Sequence, residues 1–157
     1  MDEPKSLLDE MGEGLDGLAQ ARALLASGRK PGIARSLNFN LVEIEAGRAV
    51  FEATPGEHAY NPIGMVHGGY AATLLDSACG FAVHSKLSAT QGYTTLDLNV
   101  SYLRPVTKDS GLLRAEGTVK SVGRRAAFAE AKLTGADGKL YAAATSTLLV
   151  FDRQDRK

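Results

Sequence analysis

The sequence predicts an α+β domain, in which an antiparallel β-sheet wraps around one long central α-helix behind an N-terminal helical arm. Three observations carry that prediction. Residues 66–86 form a run rich in Ala and Leu, apolar on most sides, as a buried helix requires. Six runs of strand character cover residues 35–45, 47–54, 93–103, 112–122, 125–134 and 140–151. The last four follow one another without intervening helices, which disfavours a parallel sheet.

The elements follow in chain order. Residues 1–27 predict one or two short helices, with Leu8, Met11, Leu15, Leu18 and Leu25 at helical spacing. Gly12, Gly14 and Gly17 weaken them. Ser27-Gly28-Arg29-Lys30-Pro31-Gly32 is a break, so residues 1–32 make the arm and 33–152 the main domain. The arm is expected to pack on its own domain or on a neighbouring subunit; a partly disordered tail is the alternative. Residues 35–45 and 47–54 pair as a hairpin around Glu45-Ala46-Gly47-Arg48, and 55–65 form a loop. Ala136-Asp137-Gly138-Lys139 carries the turn chemistry of a second hairpin.

Composition removes several function classes. The 157 residues suit one domain with a core. Eighteen basic and eighteen acidic residues cancel, which leaves no electrostatic case for nucleic acid or an anionic membrane. A lone cysteine excludes an intrachain disulfide and points to a reducing compartment. No apolar run approaches the length of a membrane span. Met1-Asp2-Glu3-Pro4 lacks the apolar segment of a secretory signal. A cytoplasmic protein is the expectation.

The chemistry concentrates in Asn61-Pro62-Ile63-Gly64-Met65-Val66-His67-Gly68-Gly69, which runs into the helix that carries Asp76. A helix N-terminus offers unpaired N–H groups and partial positive charge, a ready site for an oxyanion. Gly68 and Gly69 carry no side chain to block a carbonyl that approaches those groups. An acid on an apolar helix is costly to bury without a partner or a purpose. The set suggests acyl transfer. Asp76 is then a general base for water or a nucleophile, and the sequence leaves both open. The rival explanation is a structural carboxylate paired with Thr73 or Ser77.

These residues resemble the hotdog-fold acyl-CoA thioesterases of the phenylacetate-degradation (PaaI-type) group. That group carries Asn, then Gly-x-x-His-Gly-Gly, then Asp nine positions after the His, matched here by Asn61, His67 and Asp76. The segment from Thr94 to Pro105 resembles the strand after the family's helix, and Gly123-Arg124-Arg125 a basic turn common there. The resemblance spans roughly residues 35–151 and leaves the arm unmatched. It implies hydrolysis of an acyl-CoA thioester to free acid and coenzyme A, with no cofactor and no metal. Gly68 would supply the oxyanion N–H, Asn61 would position water or the thioester carbonyl, and His67 would shape the loop. A Ser or Thr after the helix would hold the nucleophilic water. Thr94 and Thr95 compete for that place; adjacent strand residues face opposite ways, so only one can point into the site, and Thr95 is preferred.

Other groups are weaker candidates. Arg124 and Arg125 are the best placed to meet coenzyme phosphates, with Arg104 and Lys108 behind them. Cys79 lies on the buried helix and His84 is about 140° further round it, so the two make no dyad. A hotdog enoyl-CoA hydratase would need Asp and His five residues apart near Asn-Pro, a pair this chain lacks. A non-catalytic acyl-CoA binding or sensing protein remains an alternative; it would need the glycines but not Asp76.

Helix geometry adds an expectation about assembly. Eight residues separate Gly68 from Asp76, about 12 Å along one helix. One thioester cannot meet both, since reacting atoms lie roughly 3–3.5 Å apart. Two helices across a two-fold axis remove the conflict, so a homodimer is expected, paired further into a homotetramer as in the proteins it resembles.

Overall fold

The computed structural model describes residues 5–155. Three short helices lead into the domain: α1 (Leu7–Gly12), α2 (Gly17–Ser27) and α3 (Gly32–Leu37). The hairpin β1 (Phe39–Glu45) and β2 (Arg48–Ala53) follows, then the long helix α4 (Gly68–His84). Strands β3 (Gln91–Tyr102), β4 (Leu113–Val122), β5 (Ala126–Thr134) and β6 (Leu140–Asp152) complete the fold. The six strands form one antiparallel sheet in the order β1-β2-β4-β5-β6-β3. The sheet wraps around α4, the hotdog arrangement expected from the sequence.

The glycines that weakened the helical reading of the arm sit at helix ends. Gly12 closes α1 and Gly17 opens α2. Ser6 and Asp16 cap the two helices by accepting the N–H groups of Asp9 and Ala19. The expected strand at 35–45 starts later, because residues 32–37 form α3. Pro31 precedes that helix, and Asn38 ends it in the left-handed region at φ 52°. The α3 residue Ala34 is buried in the main core, which secures the helical turn.

The arm docks on its own domain. The Gly17 N–H donates to the Leu87 carbonyl at 3.0 Å, and His84 Nε2–H donates to Gln20 Oε1 at 3.1 Å. An ion pair joins Asp9 to Arg153 at 2.5 Å. Ala21 of α2 packs with Ile44, Ala49 and Ala82 in a second apolar cluster.

Helix α4 is buried along Leu74, Leu75, Ala78, Cys79, Ala82 and Val83, each without exposed surface. Gly117 on β4 lets the sheet approach the helix backbone, since a Cβ there would lie 2.3 Å from the Ala78 carbonyl oxygen. A half-exposed face remains, which carries Ala72, Thr73, Asp76 and Ser77. β3 runs past that face as an edge strand, more exposed along its length than its neighbour β6.

The register of β3 determines which of its side chains meet α4. Thr95 pairs with Leu148 and Asp97 with Thr147, so the extra residue Leu96 makes a bulge. Tyr93, Thr95, Leu98, Val100 and Tyr102 therefore share the inner face, opposite Val150, Leu148, Ser146, Ala144 and Ala142. Thr94, Asp97, Asn99 and Ser101 face outward.

Candidate active site

Asp76 lies half-buried on α4, one face of which looks toward β3. Thr95 Oγ1 donates to Asp76 Oδ1 at 3.0 Å. Oδ2 has no hydrogen-bond partner among the described residues. Of the two helical hydroxyls considered as structural partners, Thr73 is engaged elsewhere, its Oγ1 donating to the Gly69 carbonyl at 2.9 Å. Of the two adjacent threonines, Thr95 reaches Asp76 and Thr94 points to the other face of the sheet.

The loop before α4 is tied down along its length. The His67 N–H donates to the Ala59 carbonyl at 2.7 Å and the Val66 N–H to the Val106 carbonyl at 3.0 Å. Asn61 Oδ1 accepts the N–H groups of Ile63 at 3.2 Å and Met65 at 3.0 Å. Its carbonyl end therefore builds the turn, and its Nδ2 hydrogens are what remains for a ligand.

His67 is the N-cap of α4. Its Nδ1 accepts the Gly69 N–H at 2.8 Å, so the neutral ring carries its proton on Nε2. This contact gives Gly69 a second role beside the close approach expected from the sequence. That residue's N–H is engaged by His67, and a Cβ there would lie 3.0 Å from His67 Nδ1. Glycine at 69 thus accommodates the cap. The exposed N–H of Gly68 has no partner among the described residues. It is the free donor at the head of the helix.

Sequence reasoning passed over Tyr102. From the end of β3 its Oη donates to the Gly68 carbonyl at 2.6 Å. The ring lies against Gly68, where a Cβ would meet Tyr102 Cζ and Oη at 3.3 Å. Asn61, Met65, Gly68, Tyr102 and Arg104 line one open cavity of about 230 Å³. Arg104 donates from Nη1 to the Leu140 carbonyl at 3.2 Å at its margin.

The structure does not bring all the candidates together. Gly68 and Asp76 sit on the same continuous helix α4, about 12 Å apart by helical rise. Arg124 and Arg125 are exposed in the β4–β5 turn and border a separate cleft of about 570 Å³ with Gln91, Leu149 and Asp152. The Arg125 carbonyl accepts the Val150 N–H at 2.9 Å, and Val150 pairs with Tyr93. The turn is thus two strand spacings from β3, about 10 Å.

The remaining titratable groups of the core are structural. Burial pushes the Cys79 thiol up to about 12, far from a thiolate nucleophile. Burial, aided by the charge of Arg153, pushes His84 down to about 4, so it holds the arm as a neutral ring. His58 donates from Nε2 to the Leu37 carbonyl at 3.1 Å. Among the described residues no His, Cys, Asp and Glu side chains cluster to hold a metal ion. No helix among them is long and apolar enough to cross a membrane.

Comparisons with known proteins agree with this architecture. The sequence profile of the thioesterase superfamily matches residues 63–142, which hold α4 and its head. A candidate esterase of Halobacterium salinarum is 47% identical over 78 residues, which cover 48% of this chain and only 46% of that protein. Human acyl-coenzyme A thioesterase 13 is 31% identical over 66% of this chain and 74% of its own. Among solved structures, a phenylacetic acid degradation-related protein of Ralstonia eutropha is 30% identical with a TM-score of 0.72, covering 82% of this chain and 97% of that one. A thioesterase-type protein of Streptococcus pneumoniae, solved with coenzyme A, is 26% identical with a TM-score of 0.67, covering 73% and 90%. The chain therefore belongs to the thioesterase superfamily, as a thioester hydrolase with the hotdog fold.

Proposed function

We propose that the protein hydrolyses an acyl-CoA thioester to a free acid and coenzyme A. The observation that carries this reading is the free Gly68 N–H at the head of α4, on the helix that presents Asp76 with Thr95 bonded to it. The thioester carbonyl oxygen would rest on Gly68 N–H, which stabilises the negative charge that grows there in the transition state. Asn61 Nδ2 would donate to the same substrate, and His67 would offer Nε2–H. Asp76 would take a proton from water that attacks the carbonyl carbon, or would attack it directly to form an anhydride. Either route expels the coenzyme A thiolate, which ends as the thiol by taking up a proton, from Asp76 in the first route. In the second, water then hydrolyses the anhydride to release the acid and regenerate Asp76. Thr95 would keep Asp76 oriented in both. The named human relative and the coenzyme A-bound structure support an acyl-CoA substrate. Arg124, Arg125 and Arg104 would meet its phosphates.

The site is composite in this reading. Gly68 of one copy would face Asp76 of a second, with β3 edges side by side. The long β3 edge is left unpaired in the single chain, with Leu96 58% and Tyr102 53% exposed, a template for a second strand. A homodimer, paired into a homotetramer, in the cytoplasm is the corresponding assembly.

The experiment is a screen of acyl-CoAs with wild type and Asp76→Asn. Release of free thiol by wild type, with most turnover lost and the unfolding midpoint kept in the variant, is expected. Near-normal kcat in Asp76→Asn would remove Asp76 from the chemistry. Gly68→Pro tests the other half, because proline is at home at the first helical position and lacks the N–H under test. Gly68→Ala, which brings the same Cβ against Tyr102 and keeps the N–H, is its control. Under verified subunit exchange, mixing Gly68→Pro with Asp76→Asn should restore part of the activity. No recovery would sink the composite site.

A further inference from the structure

We infer that Tyr102 is a positioning residue that aims the oxyanion donor of Gly68; this rests on the thioesterase reading above. Oxyanion donors work because they are held in place before charge develops. The Gly68 N–H belongs to the first helical turn, where no preceding turn holds it. Gly68 and Gly69 have the loosest backbone a chain can have. The site therefore needs an outside constraint on that peptide.

Two contacts supply it. Tyr102 Oη donates to the Gly68 carbonyl at 2.6 Å. His67 Nδ1 accepts the Gly69 N–H at 2.8 Å. That carbonyl and that N–H are the two ends of one peptide group, and a peptide group is planar. Holding both ends fixes this plane and with it the Cα of Gly68. The preceding peptide, which carries the Gly68 N–H, is held at its other end, where the His67 carbonyl accepts the Tyr70 N–H at 3.0 Å. The N–H is thus aimed from both sides of that Cα. The ring adds a wall: it lies so close to Gly68 that a Cβ would stand 3.3 Å from it. The anchor itself is firm. The N–H groups of Leu103 and Arg104, next along the chain, donate to the Tyr141 carbonyl at 2.8 and 3.1 Å. Tyr102 thus ties the edge of the sheet to the head of the helix inside the cavity that also holds Asn61 and Arg104.

Tyr102→Phe in the intact protein keeps the ring and removes the hydroxyl. Three readouts decide the matter: kcat and KM on one acyl-CoA, the unfolding midpoint, and the infrared carbonyl stretch of that thioester bound to Asp76→Asn with and without Tyr102→Phe. Removing an oxyanion donor outright typically costs 10²–10³ in kcat, and misaiming one costs less. We expect kcat to fall about tenfold with KM and midpoint unchanged. The bound carbonyl stretch should move back toward its value in solution. Unchanged kcat, a loss carried by KM alone, or an unmoved stretch overturns the assignment. A fall in midpoint matching the loss of activity overturns it too, since Tyr102 would then only hold the fold. Failure of the thioesterase reading looks different: wild type itself would release no thiol from any acyl-CoA, whereas failure of the Tyr102 assignment leaves wild-type turnover intact.

Discussion

Gly69→Ala separates the geometry of the helix head from the stability of the helix. The added Cβ would stand 3.0 Å from His67 Nδ1 and 3.1 Å from Cε1, tighter than an ordinary contact. The ring must swing away, and its 2.8 Å bond to the Gly69 N–H is lost or lengthened. Loss of an N-cap typically costs about 1 kcal/mol. Alanine in place of glycine returns roughly 0.4–1 kcal/mol by restricting the unfolded chain. The two nearly cancel, which leaves a net loss of about 0–1 kcal/mol. For a chain of this length that lowers Tm by at most about 2–4 °C. Activity has no such compensation. The peptide whose N–H the cap held sits directly against the oxyanion donor, so kcat/KM should fall by roughly an order of magnitude. Thermal unfolding and steady-state kinetics on the purified variant check both halves. A variant with full kcat/KM would refute the role given to the His67 cap. A drop in Tm beyond 10 °C would show that the cap mainly holds the fold.

Three further outcomes follow from the same structure. Tyr70 is 4% exposed and its hydroxyl has no partner among the described residues, so Tyr70→Phe should raise stability by about 1 kcal/mol in chemical denaturation; a loss would mean the hydroxyl is satisfied. His84 has a folded pKa near 4, below the ordinary 6.5. The unfolded chain thus binds the extra proton first, and stability is full above about pH 6.5 and falls as pH drops toward 4, by an amount on the order of a few kcal/mol. His84→Gln should flatten the part of the stability profile between those values; an unchanged profile would move the effect to other groups. Neutralising Arg124 and Arg125 together should raise KM for acyl-CoA more than for a short thioester without the nucleotide, and equal changes would mark the pair as a solvated turn.

The sequence by itself determined the frame. The apolar run of α4, the alternating strands and the Gly138 turn depend on local pattern and solvent, which any stretch of chain reports about itself. The His-Gly-Gly head and Asp76 were legible for the same reason, as residue types at fixed spacing. The constraint that Gly68 and Asp76 cannot share one thioester followed from helical rise alone. Residues 35–37 were misread as strand because the helix they belong to depends on Ala34 finding the core, a contact far along the chain. Only the tertiary structure decided the rest. Tyr102 stands seven positions after Thr95, so strict alternation puts it on the outer face of the sheet. The bulge at Leu96 reverses that parity and turns Tyr102 onto Gly68. Gly69 was expected to let substrate approach, and its missing Cβ also makes room for the His67 ring. Asn61 was expected to meet water or the thioester carbonyl, and its carbonyl end is held by the loop, which leaves its Nδ2 for that task. Each of these outcomes depends on where one backbone passes another, and pairing between distant segments, not local pattern, sets that distance.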